Sequence, residues 1–266
     1  MPETIALETR KLRKQFGGLV AVDDVDLRVQ AGSFHAIIGP NGAGKTTLFN
    51  LLSRTLDPTS GQIYFKGRDI TRLPLHRTAH LGIGRSFQIT NVFPNLSVLE
   101  NVRLACQAVQ PGSFRFWEDH RRLKAVLERA HAVLEQVGLA ARAALPARAL
   151  PQGDQRKLEL GMILAPDPSL LLLDEPTAGM AGEQVPELME LIGAVQKRGG
   201  KTVVLVEHNM NVVMRASDVI TVMHQGARLA EGTPAEITAN PAVQSAYLGE
   251  LYGPLGRDQG ATQEDA

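Results

Sequence analysis

FHAIIGPNGAGKTTLFNLL, Phe34–Leu52, runs from a short apolar stretch through a glycine-rich loop into a helical pattern. Within it, GPNGAGKT fills the spacing G-x-x-x-x-G-K-[ST], between a strand and a helix as the mechanism of such a loop requires. Glycines let successive backbone N–H groups turn inward around phosphate oxygens, and the start of the following helix adds the positive end of its dipole. Gly39, Pro40, Asn41, Gly42, Ala43 and Gly44 are therefore read as a phosphate cradle. Lys45 is expected to reach the β- and γ-phosphates and the Thr46 hydroxyl to ligate Mg²⁺, while Thr47 supports the loop. The alternative, an ordinary Gly-rich turn, does not explain the flanking strand and helix.

The same alternation continues outward. SLLLLDE precedes EQVPELMELIGAVQ, and KTVVLVEH precedes NMNVVMRA, so short apolar strands alternate with longer helical patterns. That pattern predicts an α/β fold with a mainly parallel sheet covered by helices. ALETRKLRKQF and DVDLRVQ read as antiparallel edge strands, and GQIYFKG and DVITVMHQGARLAEG as hairpins around Lys-Gly and Gln-Gly turns. Strand signals stop from about Thr90 to Gln152, where VLENVRLACQAV and FWEDHRRLKAVLERAHAVLEQVGL have a period near 3.6, which predicts an inserted helical subdomain. The expected organisation is a core of residues 1–89 and 153–252, a helical unit of 90–152, and a Gly-rich, disordered tail of 253–266.

Composition narrows the partners. Lys plus Arg and Asp plus Glu both number 28 in 266 residues, without a run of like charges, which argues against nucleic acid. The single cysteine, Cys106, excludes an intrachain disulfide and reads as a packed apolar residue in a reducing compartment. MPETIALETRK lacks the apolar stretch of a signal peptide, and no segment approaches the roughly 20 apolar residues of a membrane span. A soluble, cytoplasmic chain is expected, reaching any membrane through a partner.

LLLLDE, Leu170–Glu175, is a buried-strand run ending in two carboxylates. A wholly apolar strand delivers its terminal acids to the C-terminal edge of the sheet, where ligands of open α/β sheets bind. Asp174 is expected to hold Mg²⁺, and Glu175 to orient and deprotonate an attacking water. Alone, an Asp-Glu after a strand is as well read as a solvated turn; beside a phosphate loop it becomes specific. LPQGDQRKLEL, Leu150–Leu160, places Pro-Gln-Gly ahead of another helical pattern, a second helix start suited to a phosphate.

In this order the motifs resemble those of the ATP-binding subunits of ABC transporters, over nearly the whole chain to about Tyr252. Gly39 to Thr47 resembles Walker A, Gln88 in GIGRSFQ the Q-loop glutamine, Gly153 in LPQGDQ the signature, Leu170 to Glu175 Walker B, and His208 in VEHNM the switch histidine. The implied fold is a P-loop NTPase core with an antiparallel β edge subdomain and an inserted α-helical subdomain. The resemblance implies that Gln88 meets Mg²⁺ and the water, and that His208 contacts the γ-phosphate. Phe16 resembles the A-loop aromatic that stacks on adenine, with a core position as its alternative. His35, His76, His80, His120, His131 and His224 are read as structural.

Two chains of this family sandwich two ATP molecules, each between one Walker A and the other chain's signature, so Gln152 and Gly153 are expected to face a partner's nucleotide. Two departures stand out: Pro151 replaces the usual signature Ser, and Ala181 in TAGMA the usual Asp. FGGLVAVDDVDL, GIGRSFQITNVFPNLSVLENV, VEHNMNVVM and EGTPAEITANPAVQSAYLGE resemble the LivG-type subunit of branched-chain amino acid importers, as does the long helical stretch Gln107–Ala144. The resemblance implies ATP and Mg²⁺ as ligands and a second ATPase subunit, LivF-like or a second copy, as partner. It also implies membrane permease subunits, contacted near Thr90–Val98 unless that stretch is an ordinary surface loop, a periplasmic binding protein acting indirectly, and a place at the cytoplasmic face of the inner membrane. Another ABC machine, for amide or urea uptake or lipopolysaccharide extraction, and a weakly hydrolysing nucleotide-gated subunit are the alternatives.

Overall fold

The structure, a computed structural model, describes residues 4–86, 92–108 and 120–251. Gln88, Thr90 and the tail from residue 252 onward lie outside the described residues. The chain opens with two long strands, β1 (Ile5–Phe16) and β2 (Leu19–Gln30), followed by β3 (Phe34–Ile38), α1 (Lys45–Leu52), β4 (Ser60–Phe65) and β5 (Arg68–Asp69). Next come α2 (Leu75–Leu81), β6 (Ile83–Arg85), α3 (Val98–Ala108), α4 (His120–Gln136) and α5 (Gln152–Leu164). The last third holds β7 (Leu170–Asp174), α6 (Val185–Gly199), β8 (Thr202–Val206), α7 (Met210–Ala216), β9 (Val219–His224), β10 (Ala227–Gly232), α8 (Pro234–Ala239) and α9 (Pro241–Leu251).

The strands form two sheets, an antiparallel one in the order β2-β1-β4-β5 and a larger one in the order β10-β9-β3-β8-β7-β6. In the second, β9, β3, β8, β7 and β6 pair in parallel and only β10 is antiparallel. Every residue of β3, β7 and β8 is buried, the mark of strands covered on both faces. Both expected hairpin turns are present. Lys66 and Gly67 have φ of 48° and 76°, and Gln225 and Gly226 have 49° and 83°, the two positive values that match a tight turn to strand twist.

Strand alternation sorts the core into two layers. Leu170, Leu172, Val204 and Val206 pack with Leu48, Phe49 and Leu52 of α1 and with Leu7, Leu27 and Ile63 of the antiparallel sheet. Leu171, Leu173, Val203 and Leu205 face the other way, onto Leu158 of α5, Leu188 and Ile192 of α6, and a continuous cluster that includes Val102 of α3 and Val133 of α4. The helical insertion is thus built onto one face of the parallel sheet. Cys106 lies in this cluster, and burial pushes its thiol above the ordinary range, as suits a packed apolar residue. His35 is likewise structural: its Nε2 lies 2.8 Å from Thr221 Oγ1, and burial pushes its pKa down to about 4. The helical pattern expected from Phe116 starts, among the described residues, at His120 and ends before Gly138, whose φ of 72° closes it.

Candidate functional site

The sheet order puts the C-terminal ends of β3, β8 and β7 side by side, with Val206 paired to Ile37 on one flank and to Asp174 on the other. The loops that leave these ends carry Gly39–Gly44, Glu207–Asn209 and Glu175–Met180. Three separate apolar runs therefore converge on one edge, with β8 between the phosphate loop and the two acids.

The loop after β3 is held by backbone. The Ala43 carbonyl accepts from Gly226 N at 3.1 Å, and the Gly226 carbonyl accepts from Asp23 N at 2.8 Å, so the β9–β10 turn and β2 both brace it. Lys45 Nζ donates to the Gly39 carbonyl at 2.6 Å and the Pro40 carbonyl at 2.8 Å, which folds its ammonium back over the loop. α1 has no acidic residue in its first turn, so no carboxylate of that turn competes for its positive end.

Asp174 ends β7 with 3% exposure, and among the described residues neither carboxylate oxygen has a hydrogen-bond partner. Burial first, and then the neighbouring Glu175 and Glu207, push its pKa from the ordinary 3.8 up to about 6, against the opposing pull of Arg85 and Lys45. A buried acceptor without a protein donor among the described residues is costly. Between pH 3.8 and about 6 the folded chain retains a proton that the unfolded chain has released. This group's contribution to stability therefore falls as pH rises through that window. Asp174→Asn is expected to stabilise the ligand-free chain at pH 7.5 by about 2 kcal/mol, a rise of several degrees in Tm. The gain should vanish near pH 4, as scanning calorimetry in chelator will read.

Glu175 follows in the left-handed region with φ of 46°, its N–H donating to the Val206 carbonyl at 2.8 Å. Its side chain is 36% exposed, and Oε1 lies 3.8 Å from Nδ1 of His208. That separation is too long for a hydrogen bond, so the two groups flank a shared space without closing it.

Phe16 is 46% exposed, which removes the core alternative. It pairs with Leu19 at the tip of the β1–β2 hairpin, and Ala21, two residues further, packs its carbonyl against Gly44. The exposed ring thus stands near the phosphate loop, with Lys14 Nζ 5.0 Å from its centroid. Phe16→Ala is expected to weaken ATP and GTP binding alike, by about 1 to 3 kcal/mol, with Tm unchanged. Isothermal titration with both nucleotides checks this.

Pro151 does not disrupt the helix it precedes. It sits at the N-cap of α5 with extended backbone, and its carbonyl accepts from Gln155 N at 3.0 Å, so the missing N–H falls where the helix needs none. The start of α5 is packed on the loop after Glu175. The Gln184 side chain lies where a Cβ on Gly153 would come within 3.2 Å of it, the Gln152 amide lies against Gly179, and Arg156 Nη2 donates to the Ala178 carbonyl at 3.1 Å. Asp154, in the first turn, is paired with Arg142 and with Lys157, so its charge is compensated within the chain.

Two contributors, Arg85 and Glu207, are given no role by any motif that the sequence displays. Arg85 donates to Asn50 Oδ1 and Ser53 Oγ at 2.6 Å and also reaches Thr55, tying β6 to the far end of α1. Glu207, the acid just before His208, is 1% exposed and accepts from both the β7 and the β8 loops. An acid ending a wholly apolar strand was the available signal.

The model of the family described as ABC transporter matches residues 22–178, and that of the branched-chain amino acid ATP-binding cassette transporter matches residues 227–252. The high-affinity branched-chain amino acid transport ATP-binding protein LivG of Salmonella typhimurium (strain LT2) is 41% identical over 249 residues, 92% of this chain and 98% of that protein. Among solved structures, the ADP conformation of MJ1267, an ATP-binding cassette of an ABC transporter, superposes with a TM-score of 0.80 at 29% identity, covering 92% of this chain and 99% of that one. A dimeric, post-hydrolysis state of the ATP-binding cassette MJ0796 bound to ADP and Pi superposes with a TM-score of 0.73 at 26% identity, over 86% of this chain and 98% of that one. Together with the phosphate loop and the acids at the strand ends, these likenesses mean that the chain belongs to the ABC transporter family, as one of its ATP-binding, ATP-hydrolysing subunits.

Proposed function

We propose that this chain is the ATPase motor of an importer for branched-chain or other hydrophobic amino acids. The substrate class rests on relatives such as LivG and on the C-terminal match over residues 227–252. The hydrolytic role rests above all on Asp174 and Glu175, which stand at the strand edge beside Lys45, one carboxylate buried and without a hydrogen-bond partner among the described residues and the other partly exposed. In this reading the N–H groups of Gly39–Gly44 and the start of α1 hold the phosphates, and Lys45 spans the β- and γ-phosphates. Glu175 orients the water and takes its proton, and His208 donates to the γ-phosphate.

The donors present fit Mg²⁺, a hard cation that takes oxygen ligands and keeps several waters. Thr46, Asp174 and Gln88 would hold it, and the unpartnered oxygens of Asp174 are what such a site leaves for it. When bound, Mg²⁺ supplies charge neutralisation on the phosphate oxygens.

The N-terminus of α5, with the Gln152 amide and the Gly153 N–H, serves a partner's nucleotide. The partner is a second ATPase subunit, LivF-like or another copy, and the dimer of MJ0796 supports pairing as the working state. Permease subunits anchor the pair at the cytoplasmic face of the inner membrane, and a periplasmic binding protein delivers substrate to them. No helix among the described residues is long and apolar enough to cross a membrane.

Pro151 offers no hydroxyl to the partner's γ-phosphate, and Pro151→Ser is expected to speed hydrolysis in the partner's site. It should also stabilise the chain by about 1 kcal/mol as an N-cap. Turnover of a pair whose other signature is disabled measures the first effect, and Tm the second. The whole reading is tested by ATP-dependent leucine uptake in vesicles containing the permease pair. Uptake that requires this chain supports it, whereas a permease that works equally without the chain rejects it.

A further inference from the structure

Glu207 is the most deeply enclosed carboxylate at this edge: its side chain is 0% exposed, and among the described residues its one ion-pairing neighbour within 4.0 Å is the His208 ring, at 3.9 Å. A carboxylate in that position costs free energy unless donors converge on it. Four do. Oε1 accepts from Thr177 N at 3.2 Å and from the Thr177 hydroxyl, while Oε2 accepts from His208 N at 3.1 Å and Asn209 N at 3.3 Å. One oxygen therefore holds the loop that follows Glu175, and the other holds the loop that carries His208.

The loop so held is under local constraint. Glu175 is in the left-handed region, a conformation that persists only where the surroundings over-determine it. Its N–H is fixed to Val206 and its carbonyl accepts from Ala178 N at 3.0 Å, so Thr177 is the next residue whose position decides where the Glu175 turn sits. We propose that Glu207 is a positioning residue for hydrolysis, setting the spacing between Glu175 and His208 by clamping Thr177 with one oxygen and the His208–Asn209 amides with the other. This rests on the hydrolytic reading of Glu175 given above and adds a residue that does not itself touch the nucleotide.

The chemistry of the clamp makes it testable by an isosteric change. Gln at 207 keeps the volume but has one acceptor oxygen, so its NH₂ must face donors on one side or the other, and one loop is released. Thr177→Val removes the hydroxyl donor with the shape kept, and Thr177→Ser restores it.

In steady-state hydrolysis at a protein concentration that supports wild-type turnover, Glu207→Gln is expected to lower kcat about 10²-fold with KM for ATP nearly unchanged, because small displacements of reacting groups are that costly. Thr177→Val should lose less than Glu207→Gln, and Thr177→Ser, which keeps the hydroxyl donor, should stay close to wild type. Amide hydrogen exchange on the same proteins should show residues 175–181 or 207–212 exchanging faster in Glu207→Gln, with residues 39–52 unchanged.

Turnover of Glu207→Gln within twofold of wild type, or a loss carried entirely by KM or by Tm, overturns the proposal. Unchanged exchange at both loops overturns it even without turnover data, and should Glu207→Gln fail to fold, the Thr177 pair decides. Glu175→Gln run alongside separates the two levels. If it leaves hydrolysis intact the hydrolytic reading itself fails, and if it abolishes hydrolysis while Glu207→Gln does not, only the clamp fails.

Discussion

Glu175→Gln is expected to lower ATP turnover about 10²- to 10⁴-fold while leaving ATP affinity within a factor of about three. The amide keeps the shape of the side chain and its place beside His208, so binding contacts survive, but it no longer takes a proton from water. The neighbouring carboxylates cannot substitute. Asp174 is buried at 3% exposure, Glu207 at 1%, and Glu207 is already committed to four donors. Glu175 is the partly exposed acid at this strand end, turned outward by its left-handed backbone. Turnover by coupled assay and affinity by titration read the two quantities separately. A variant that hydrolyses at more than a tenth of the wild-type rate removes Glu175 from the role of base.

Gly39→Ala should have the second large effect, on both stability and binding. The residue has φ of 152°, and a Cβ there would be driven into the carbonyl oxygen of Met223 on β9. That obstacle is strand backbone held between β10 and β3, so relief requires either the strand or the phosphate loop to move. Overpacking and backbone strain together are expected to cost about 3 kcal/mol, a fall in Tm of roughly 6 to 12 °C. ATP affinity should drop more than tenfold, because the loop's N–H groups must aim together to hold phosphate. Gly18→Ala is the control: nothing lies within 4 Å of its Cβ and its φ is ordinary, so Tm and affinity should stay put. A Gly39→Ala chain with unchanged Tm and affinity shows that the β9 contact does not set the loop.

What the sequence discloses, and what it hides, follows from the range of each interaction. The phosphate loop, the apolar strands that lead to Asp174 and His208, and the two tight turns at Lys66-Gly67 and Gln225-Gly226 are legible because each depends on residues within one short segment. Strand order is not, since nothing within TVVLV states that β8 lies between β3 and β7. The role of Glu207 depends on that order: its partner Thr177 is 30 residues away and meets it only because β7 and β8 are adjacent. Arg85 is hidden for the same reason, its acceptors lying on and just after α1. Phe16 is ambiguous by sequence because a strand end can turn an aromatic either way. At Pro151 sequence rules and structure agree once the residue is placed at the N-cap, where the absent N–H costs nothing.

Hydrolysis of ATP by the purified chain with Mg²⁺, measured per subunit over a wide range of protein concentration beside Glu175→Gln, tests whether these residues form one half of a paired catalytic site. The expected result is a rate per subunit that climbs with concentration and disappears in Glu175→Gln while ATP still binds. A rate per subunit that is independent of concentration and the same in both proteins would show that neither the pairing nor Glu175 produces the activity.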